Sequence, residues 1–319
     1  MTERDPLLAD GDLPLELRLQ QNVDRPHDAR STTDAAGTRR YEDVAYARLA
    51  GFRPLLLDLS IPASDAPVPL VVYLHGGAFL WGTHRGTLFG VGDALVDAGI
   101  AVATVQYRLG GESLFPAALH DAHAAIRWLR HFAGELGLDA DRVGVMGESS
   151  GGQLAAFLGL DLDDPALSGR VGVVDGDTSV QAVVGWYAVT DATLFADPRF
   201  PATPPPGDQW PDGIVAPGAP VDALAIVRWA SPAHHPLSNA APALYIHGDS
   251  DTEVPSEHSR QLVGRLLAAG REAELMLVPG AGHVFAGADP TPVVARTVAF
   301  FADRLGASVM PTTAVGERS

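Results

Sequence analysis

Short runs of apolar residues alternate along the chain with longer segments whose apolar residues recur at helical spacing. Residues 69–75 (PLVVYLH) and 100–107 (IAVATVQY) are continuous apolar runs of strand length. Such runs are typical of central parallel strands that are covered on both faces. Further strands are predicted at residues 54–62, 142–147, 179–189, 241–248 and 272–280.

Helices are predicted between these strands. After Pro116, apolar residues from Leu119 to Leu129 fall at i, i+3, i+7 and i+10, which places one apolar stripe against a sheet. The other predicted helices cover residues 83–98, 152–160, 256–269 and 291–305. Strands that alternate with helices predict an α/β fold with a mostly parallel central sheet flanked by helices on both faces.

The same patterns divide the chain into segments. Residues 1–40 are polar without sustained periodicity and are interpreted as a flexible N-terminal arm or a piece of a cap. Residues 41–306 form one predicted domain, and residues 307–319 are predicted to be a disordered tail. Within the domain, residues 191–236 are rich in proline, which removes N–H donors and fixes φ, so we interpret them as a cap or lid insertion.

Composition narrows the function. The formal charge is −17 without a basic block, which argues against nucleic acid and anionic membrane as partners. All 22 basic residues are arginine, so lysine Schiff-base and Ser-Lys mechanisms are excluded, and the chain has no cysteine. The acidic N-terminus does not resemble a signal peptide and no apolar run reaches about 18 residues, so a cytoplasmic protein is expected.

The predicted strand at 142–147 leads into the pattern G-x-S-x-G, from Gly147 to Gly151, with a helix after it. A serine in this pattern occupies a strained strand-to-helix turn that presents its hydroxyl above the sheet. The helix N-terminus favours negative charge nearby, which acyl transfer develops. Ser149 is therefore the candidate nucleophile.

A nucleophilic serine needs a base, a carboxylate that orients the base, and donors for the oxyanion. In an open α/β sheet these groups gather at the carboxyl ends of the strands. His283 follows the strand at 272–280 and is the candidate base. Its competitors among the eleven histidines include His75, His120, His123 and His247. Asp251 follows the strand at 241–248 and is the candidate acid, with Asp249 two residues away.

Backbone donors for an oxyanion are expected in two places. One is the N–H of Ser150, and the others are the N–H groups of Gly77 and Ala78 in the HGGAF segment after the strand at 69–75. The alternative for this segment is a plain turn. The remaining candidates support the loops: His75 and Gly76 in the same segment, and Glu148, whose carboxylate is either a support for the site or simply solvated.

No cofactor is indicated. A phosphate-binding G-x-x-x-x-G-K-S/T loop is impossible without lysine, and the chain has no H-E-x-x-H or Cys/His pattern, so no catalytic metal is predicted.

Five segments together resemble the α/β-hydrolase superfamily over roughly residues 55–305. They are LHGGAFLWG, QYRLGGESLFPAALHDAHAAIRWLR, GESSGGQLAA, HGDSDTEVP and GAGHVF. The chain is most similar to carboxylesterases with an HGG loop, both hormone-sensitive-lipase-like and feruloyl-esterase-like (BD-FAE). Hormone-sensitive-lipase relatives usually carry D-P-L-x-D at the acid, so HGDSDTEVP favours the feruloyl-esterase-like branch.

This resemblance implies a serine hydrolase of carboxylic esters with small to medium acyl groups. The resemblance also implies Ser149, Asp251 and His283 as the triad, and Gly77, Ala78 and Ser150 as oxyanion donors. The alternatives are an amide hydrolase, such as an arylformamidase or peptidase, a biosynthetic lyase or acyltransferase, and a binding protein on a retired hydrolase fold. The expected partner is a small-molecule ester, and homodimers are frequent among similar enzymes.

Overall fold

A computed structural model describes residues 23–173, 175–199 and 223–307 of the chain. One sheet runs through these residues in the order β1-β2-β3-β5-β4-β6-β7-β8-β9. Its strands are β1 (Arg30–Thr33), β2 (Arg39–Ala47), β3 (Leu55–Ile61), β4 (Val68–Leu74), β5 (Ala101–Val105), β6 (Leu138–Glu148), β7 (Ala182–Trp186), β8 (Ala243–Gly248) and β9 (Ala273–Val278).

The sheet is antiparallel at one end and parallel elsewhere. Neighbouring strands are antiparallel from β1 through β2 and β3 to β5. Neighbouring strands are parallel from β5 through β4, β6, β7 and β8 to β9. The prediction of a mostly parallel sheet is therefore confirmed. Parallel neighbours bring the carboxyl ends of β4, β6, β7, β8 and β9 to one edge of the sheet, where the candidate residues lie.

Helices cover both faces of the sheet, as predicted. They are α1 (Val91–Asp97), α2 (Ala117–His131), α3 (Ala133–Leu136), α4 (Ser150–Gly159), α5 (Pro165–Ser168), α6 (Ala223–Trp229), α7 (Glu257–Ala268) and α8 (Thr291–Leu305). Short 3-10 helices lie at Pro26–Asp28, Leu88–Gly90, Ala192–Ala196, Pro232–His234 and His283–Phe285.

The core consists of one apolar cluster on each face. All seven residues of β4 are buried. Successive side chains of a strand point to opposite faces, so Val72 joins the cluster that contains α2, α4 and α7, while Val71 joins the cluster that contains α1 and α8. This two-sided packing accounts for the continuous apolar run that predicts a central strand.

The structure differs from the expectation for the N-terminal segment. Residues 1–22 of the predicted arm lie outside the described residues. From residue 23 onward, the chain forms β1 and the start of β2, which extend the sheet instead of forming a flexible arm. All four residues of β1 are exposed, so this edge strand lacks the apolar alternation by which a strand is recognised.

The helix predicted at 83–98 is wrong in its first half. Only Leu88–Gly90 and α1 are helical there. The backbone is left-handed at Gly86 (φ 78°) and at Phe89 (φ 52°), and right-handed helices do not contain such residues. The segment before α1 is therefore a loop, in which Leu88–Gly90 form one irregular 3-10 turn.

The Pro-rich insertion is described only at its two ends. Residues 191–199 contain the 3-10 helix at Ala192–Ala196, and residues 223–236 contain α6. The part from 200 to 222 lies outside the described residues. So does the predicted tail at 307–319, apart from Ala307.

Candidate active site

Ser149 lies in the tight turn between the end of β6 and the start of α4. Its backbone angles, φ 52° and ψ −117°, are strained for a non-glycine residue. The turn is held because the Ser149 N–H donates to the carbonyl of Trp186 (2.9 Å). A Cβ on Gly151 would lie 2.1 Å from the carbonyl oxygen of Leu74, so only glycine allows this approach. The strained turn predicted from G-x-S-x-G is therefore present.

Ser149, His283 and Asp251 form a continuous hydrogen-bonded series. His283 Nε2 lies 3.3 Å from Ser149 Oγ, and His283 Nδ1 lies 2.7 Å from Asp251 Oδ2. The carboxylate accepts the Nδ1 proton, which leaves Nε2 free to accept the serine proton. The three side chains come from loops after β9, β8 and β6, as the positions of their strands predict.

The carboxylate of Asp251 is buried and fixed from two sides. Its Oδ1 accepts the N–H groups of Glu253 and Val254 at 2.9 Å each. Burial alone would raise the pKa of Asp251, but hydrogen bonds from His247 and His283 and the charge of His283 hold this pKa well below its usual range. Asp251 therefore remains ionised beside the imidazole.

The competing residues His247 and Asp249 lie away from Ser149. His247 is fully buried, with Nδ1 2.7 Å from Ser259 Oγ, and Nε2 2.8 Å from the Val254 carbonyl and 3.4 Å from Asp251. The His247 imidazole therefore supports the loop that carries Asp251. Asp249 is exposed and accepts the N–H of Gly280 (2.7 Å), so it closes a turn between the two loops.

The HGGAF segment turns back over Ser149. Gly77 and Ala78 are left-handed, with φ 112° and 53°. Among the described residues, neither their N–H groups nor that of Ser150 donates to a protein acceptor. A Cβ on Gly77 would lie 2.1 Å from the Trp81 carbonyl oxygen. The alternative of a plain turn does not explain three free donors beside one serine.

His75 and Gly76 hold this segment in place. His75 Nδ1 lies 2.7 Å from the Gly76 carbonyl, and its ring stacks on Tyr107 with the centroids 4.3 Å apart. The Tyr107 hydroxyl donates to the His75 carbonyl at 2.6 Å. Burial lowers the pKa of His75 to about 4, so its imidazole is neutral and braces the loop.

Glu148 is not solvated, so that alternative is wrong. It is buried, and its two carboxylate oxygens accept the hydroxyl protons of Tyr73 and Tyr187 at 2.7 Å each. The Tyr187 ring also packs against His283, with the centroids 4.7 Å apart. Neither tyrosine is among the site residues predicted from the sequence. The position of Tyr187 directly after the β7 strand was the available signal.

A cavity of about 520 Å³ opens above Ser149. Its walls come from the HGGAF segment, the loop before α1, the loops that carry Asp251 and His283, and the start of the insertion. The lining includes Trp81, Arg85, Glu148, Val189, Phe195, Glu253 and Val284. The volume suits a small organic molecule.

The charged groups on the cavity wall are mostly acidic or neutralised. Glu148 and Glu253 line the cavity, and Arg85 is paired with Asp43 and with Asp58 (2.8 Å).

The structure also brings Asp43, Asp58 and His84 together. One ligand atom of each lies within 4.8 Å of the others, so the donor set would fit a metal ion. Here Arg85 already binds both carboxylates, and His84 Nε2 lies 3.1 Å from Asp43. The group therefore acts as an ion-pair network that fixes the loop before α1.

In the described part of the chain, no helix combines the length and the apolar composition needed to cross a membrane.

The parallel sheet, the strained serine turn and the Ser149, His283, Asp251 series together define an α/β-hydrolase fold. Comparisons with known proteins agree. The family model described as BD-FAE matches residues 57–266, more than half of the chain. The chain belongs to the BD-FAE family.

Named relatives include two proteins of Mycobacterium tuberculosis. The chain is 31% identical to "Esterase LipC" over 223 residues, which cover 69% of this chain and 53% of the relative. It is 31% identical to "Esterase LipQ" over 258 residues, covering 77% of this chain and 58% of that protein. The chain thus spans about half the length of these two relatives.

Solved structures show the same fold. A "truncated form of carbohydrate esterase from gut microbiota" matches with a TM-score of 0.70 and 24% identity, over 87% of this chain and 100% of that one. A "bifunctional GH43-CE" of Bacteroides eggerthii matches with a TM-score of 0.69 and 30% identity, over 83% of this chain and 38% of that one.

Proposed function

We propose that this protein is a serine hydrolase that cleaves neutral carboxylic esters with small to medium acyl groups. The observation that carries the proposal is the hydrogen-bonded series from Ser149 through His283 to Asp251, facing free backbone donors. This arrangement has the parts that acyl transfer requires. The esterase names of the relatives support the same reaction class.

In the proposed reaction, Ser149 Oγ attacks the ester carbonyl carbon while His283 Nε2 takes the serine proton. The carbonyl oxygen becomes an oxyanion, and the N–H groups of Gly77, Ala78 and Ser150 stabilise it. The C–O bond to the alcohol then breaks, and His283 returns the proton to the leaving oxygen. Each oxyanion donor contributes roughly 3 kcal/mol to transition-state stabilisation in enzymes of this kind.

An acyl-enzyme remains after the alcohol leaves. Water enters, His283 takes one of its protons, and the hydroxide oxygen attacks the acyl carbon. The second tetrahedral intermediate collapses as Ser149 regains the proton, and a carboxylic acid is released. Asp251 stays ionised throughout and stabilises the imidazolium that forms twice in each cycle.

The charges on the cavity wall favour an uncharged substrate. Glu148 and Glu253 line it, and the charge of Arg85 is offset by Asp43 and Asp58. Among the described lining residues, a substrate carboxylate would therefore meet acidic groups and no unpaired cation. Phe195, at the start of the Pro-rich insertion, lines the cavity as well, which supports our proposal that the insertion serves as a cap.

The test is hydrolysis of p-nitrophenyl esters from acetate to decanoate by the wild type and by Ser149→Ala. We expect turnover by the wild type, with a maximum at short or medium acyl chains, and a loss of at least about 10⁴-fold in the variant. If Ser149→Ala hydrolysed these esters at a rate close to that of the wild type, Ser149 would not be the nucleophile.

If neither protein hydrolyses any ester, the esterase proposal fails. The same pair of proteins is then tested on N-formyl arylamines and on peptides, which an amide hydrolase would cleave. Reactions run in H₂¹⁸O distinguish a hydrolase from a lyase or an acyltransferase. A hydrolase places the label in its acid product, whereas the other two form their products without it.

A further inference from the structure

Two large apolar side chains are exposed at the mouth of the cavity. Trp81 is 54% exposed and Val284 is 41% exposed, and both line the cavity. They stand on the two loops that carry the Gly77 and Ala78 donors and His283. Single exposed apolar residues are ordinary on a protein surface, but apolar residues that rim a cleft mark ligand sites.

Trp81 is fixed against the proposed oxyanion donors. Its N–H donates to the Gly77 carbonyl at 3.2 Å, and its ring atom Cδ1 would lie 2.9 Å from a Cβ on Gly77. Among the described residues, the indole packs against no other aromatic ring and its Nε1–H has no acceptor. The indole is thus 54% exposed to solvent and lines the cavity.

Val284 is held at the cavity by a strained backbone. Its φ is 55°, which is a marked outlier for a β-branched residue. The surrounding loop imposes it, because Gly282 donates to the Ala286 carbonyl (2.8 Å) and Ala286 donates to the His283 carbonyl (3.0 Å). Strain of this kind persists at functional sites, where the surrounding structure enforces it.

We propose that Trp81 and Val284 bind the alcohol part of the ester, and that the preferred alcohol carries an aromatic ring. The inference rests on the proposed function. His283 passes its proton to the leaving oxygen, so the residue next to it flanks the alcohol side. A sugar ring would need several hydrogen-bond partners, whereas this pair offers a flat ring, a branched alkyl group and one N–H donor.

The test compares three acetates: benzyl, cyclohexylmethyl and ethyl. They share the acyl group, and the three alcohols have similar acidity. Benzyl and cyclohexylmethyl acetate therefore differ mainly in whether their six-membered ring is aromatic. The proteins are the wild type, Trp81→Phe, Trp81→Ala and Val284→Ala. Leu267→Ala is the matched control, because Leu267 is 55% exposed on α7 and lies outside the cavity. An acetylated methyl xyloside serves as the sugar substrate.

We expect the wild type to prefer benzyl over cyclohexylmethyl acetate by roughly two- to tenfold in kcat/KM, the range typical of aromatic pairing. Trp81→Ala should abolish this preference, mainly through KM, and should lower benzyl acetate hydrolysis at least fivefold more than ethyl acetate hydrolysis. Trp81→Phe should keep most of the preference. Val284→Ala should weaken benzyl acetate hydrolysis, and Leu267→Ala should change nothing.

Equal losses for benzyl and ethyl acetate in Trp81→Ala would overturn the inference, because the indole would then only support the oxyanion loop. A wild-type preference for the xyloside would overturn it in favour of a sugar site. Both results leave the proposed function intact, which fails separately if p-nitrophenyl acetate is not hydrolysed.

Discussion

The two tyrosines on Glu148 allow a sharp test of the structure. Replacing Glu148 by Ala removes the acceptor of two buried hydroxyls, those of Tyr73 and Tyr187. A buried polar group left without a partner costs about 1–3 kcal/mol. We therefore expect the free energy of unfolding to fall by roughly 2–6 kcal/mol, which in a domain of this size lowers Tm by about 5–15 °C.

Urea and thermal unfolding followed by circular dichroism measure this change. Glu148→Gln keeps one acceptor oxygen and should lose about half as much stability. Glu135→Ala is the control, because Glu135 is exposed and its loss should be within about 0.5 kcal/mol. If Glu148→Ala unfolds within about 1 kcal/mol of the wild type, the buried carboxylate is not paired as described, and the reasoning fails.

Three further predictions concern the oxyanion loop, acid stability and substrate charge. Gly77→Ala places a Cβ 2.1 Å from the Trp81 carbonyl, so kcat should fall at least about 10²-fold while the far-UV spectrum is unchanged; near wild-type kcat would contradict the assigned donors. Burial lowers the pKa values of His75 to about 4 and of His123 and His258 to about 3. The unfolded state therefore binds more protons below pH 6.5, and urea unfolding should show a loss of about 2 kcal/mol per histidine between pH 7 and pH 5. Because two glutamates line the cavity, p-nitrophenyl hemisuccinate should have a kcat/KM at least tenfold below that of the butyrate; equal values would refute the charge argument.

The central part of the fold follows from hydrophobic patterning. The run at 69–75 predicts a strand covered on both faces, and β4 is buried along its whole length. Patterning fails where burial does not decide the conformation. The exposed strand β1 has no apolar signal, and the left-handed residues Gly86 and Phe89 interrupt a segment whose composition favours a helix.

The candidate site also has a part that the sequence predicts and a part that it does not. Ser149, Asp251 and His283 each follow a strand, so the common edge of a parallel sheet predicts their meeting. The partners of Glu148 depend on the order β4-β6-β7 in the sheet, because Tyr73 and Tyr187 come from its two neighbours. Sequence patterns predict that strands exist but do not determine which strands are adjacent.

The order of strands also has a kinetic consequence. Ser149 and His283 are 134 residues apart in the chain. They follow β6 and β9, and the parallel strands β7 and β8 lie between these two strands in the sheet. Pairings over such sequence separations require closure of long loops and form slowly during folding. The imidazole reaches the serine only after β9 has docked at the edge of the sheet. During refolding, recovery of ester hydrolysis should therefore lag behind recovery of the helical circular dichroism signal.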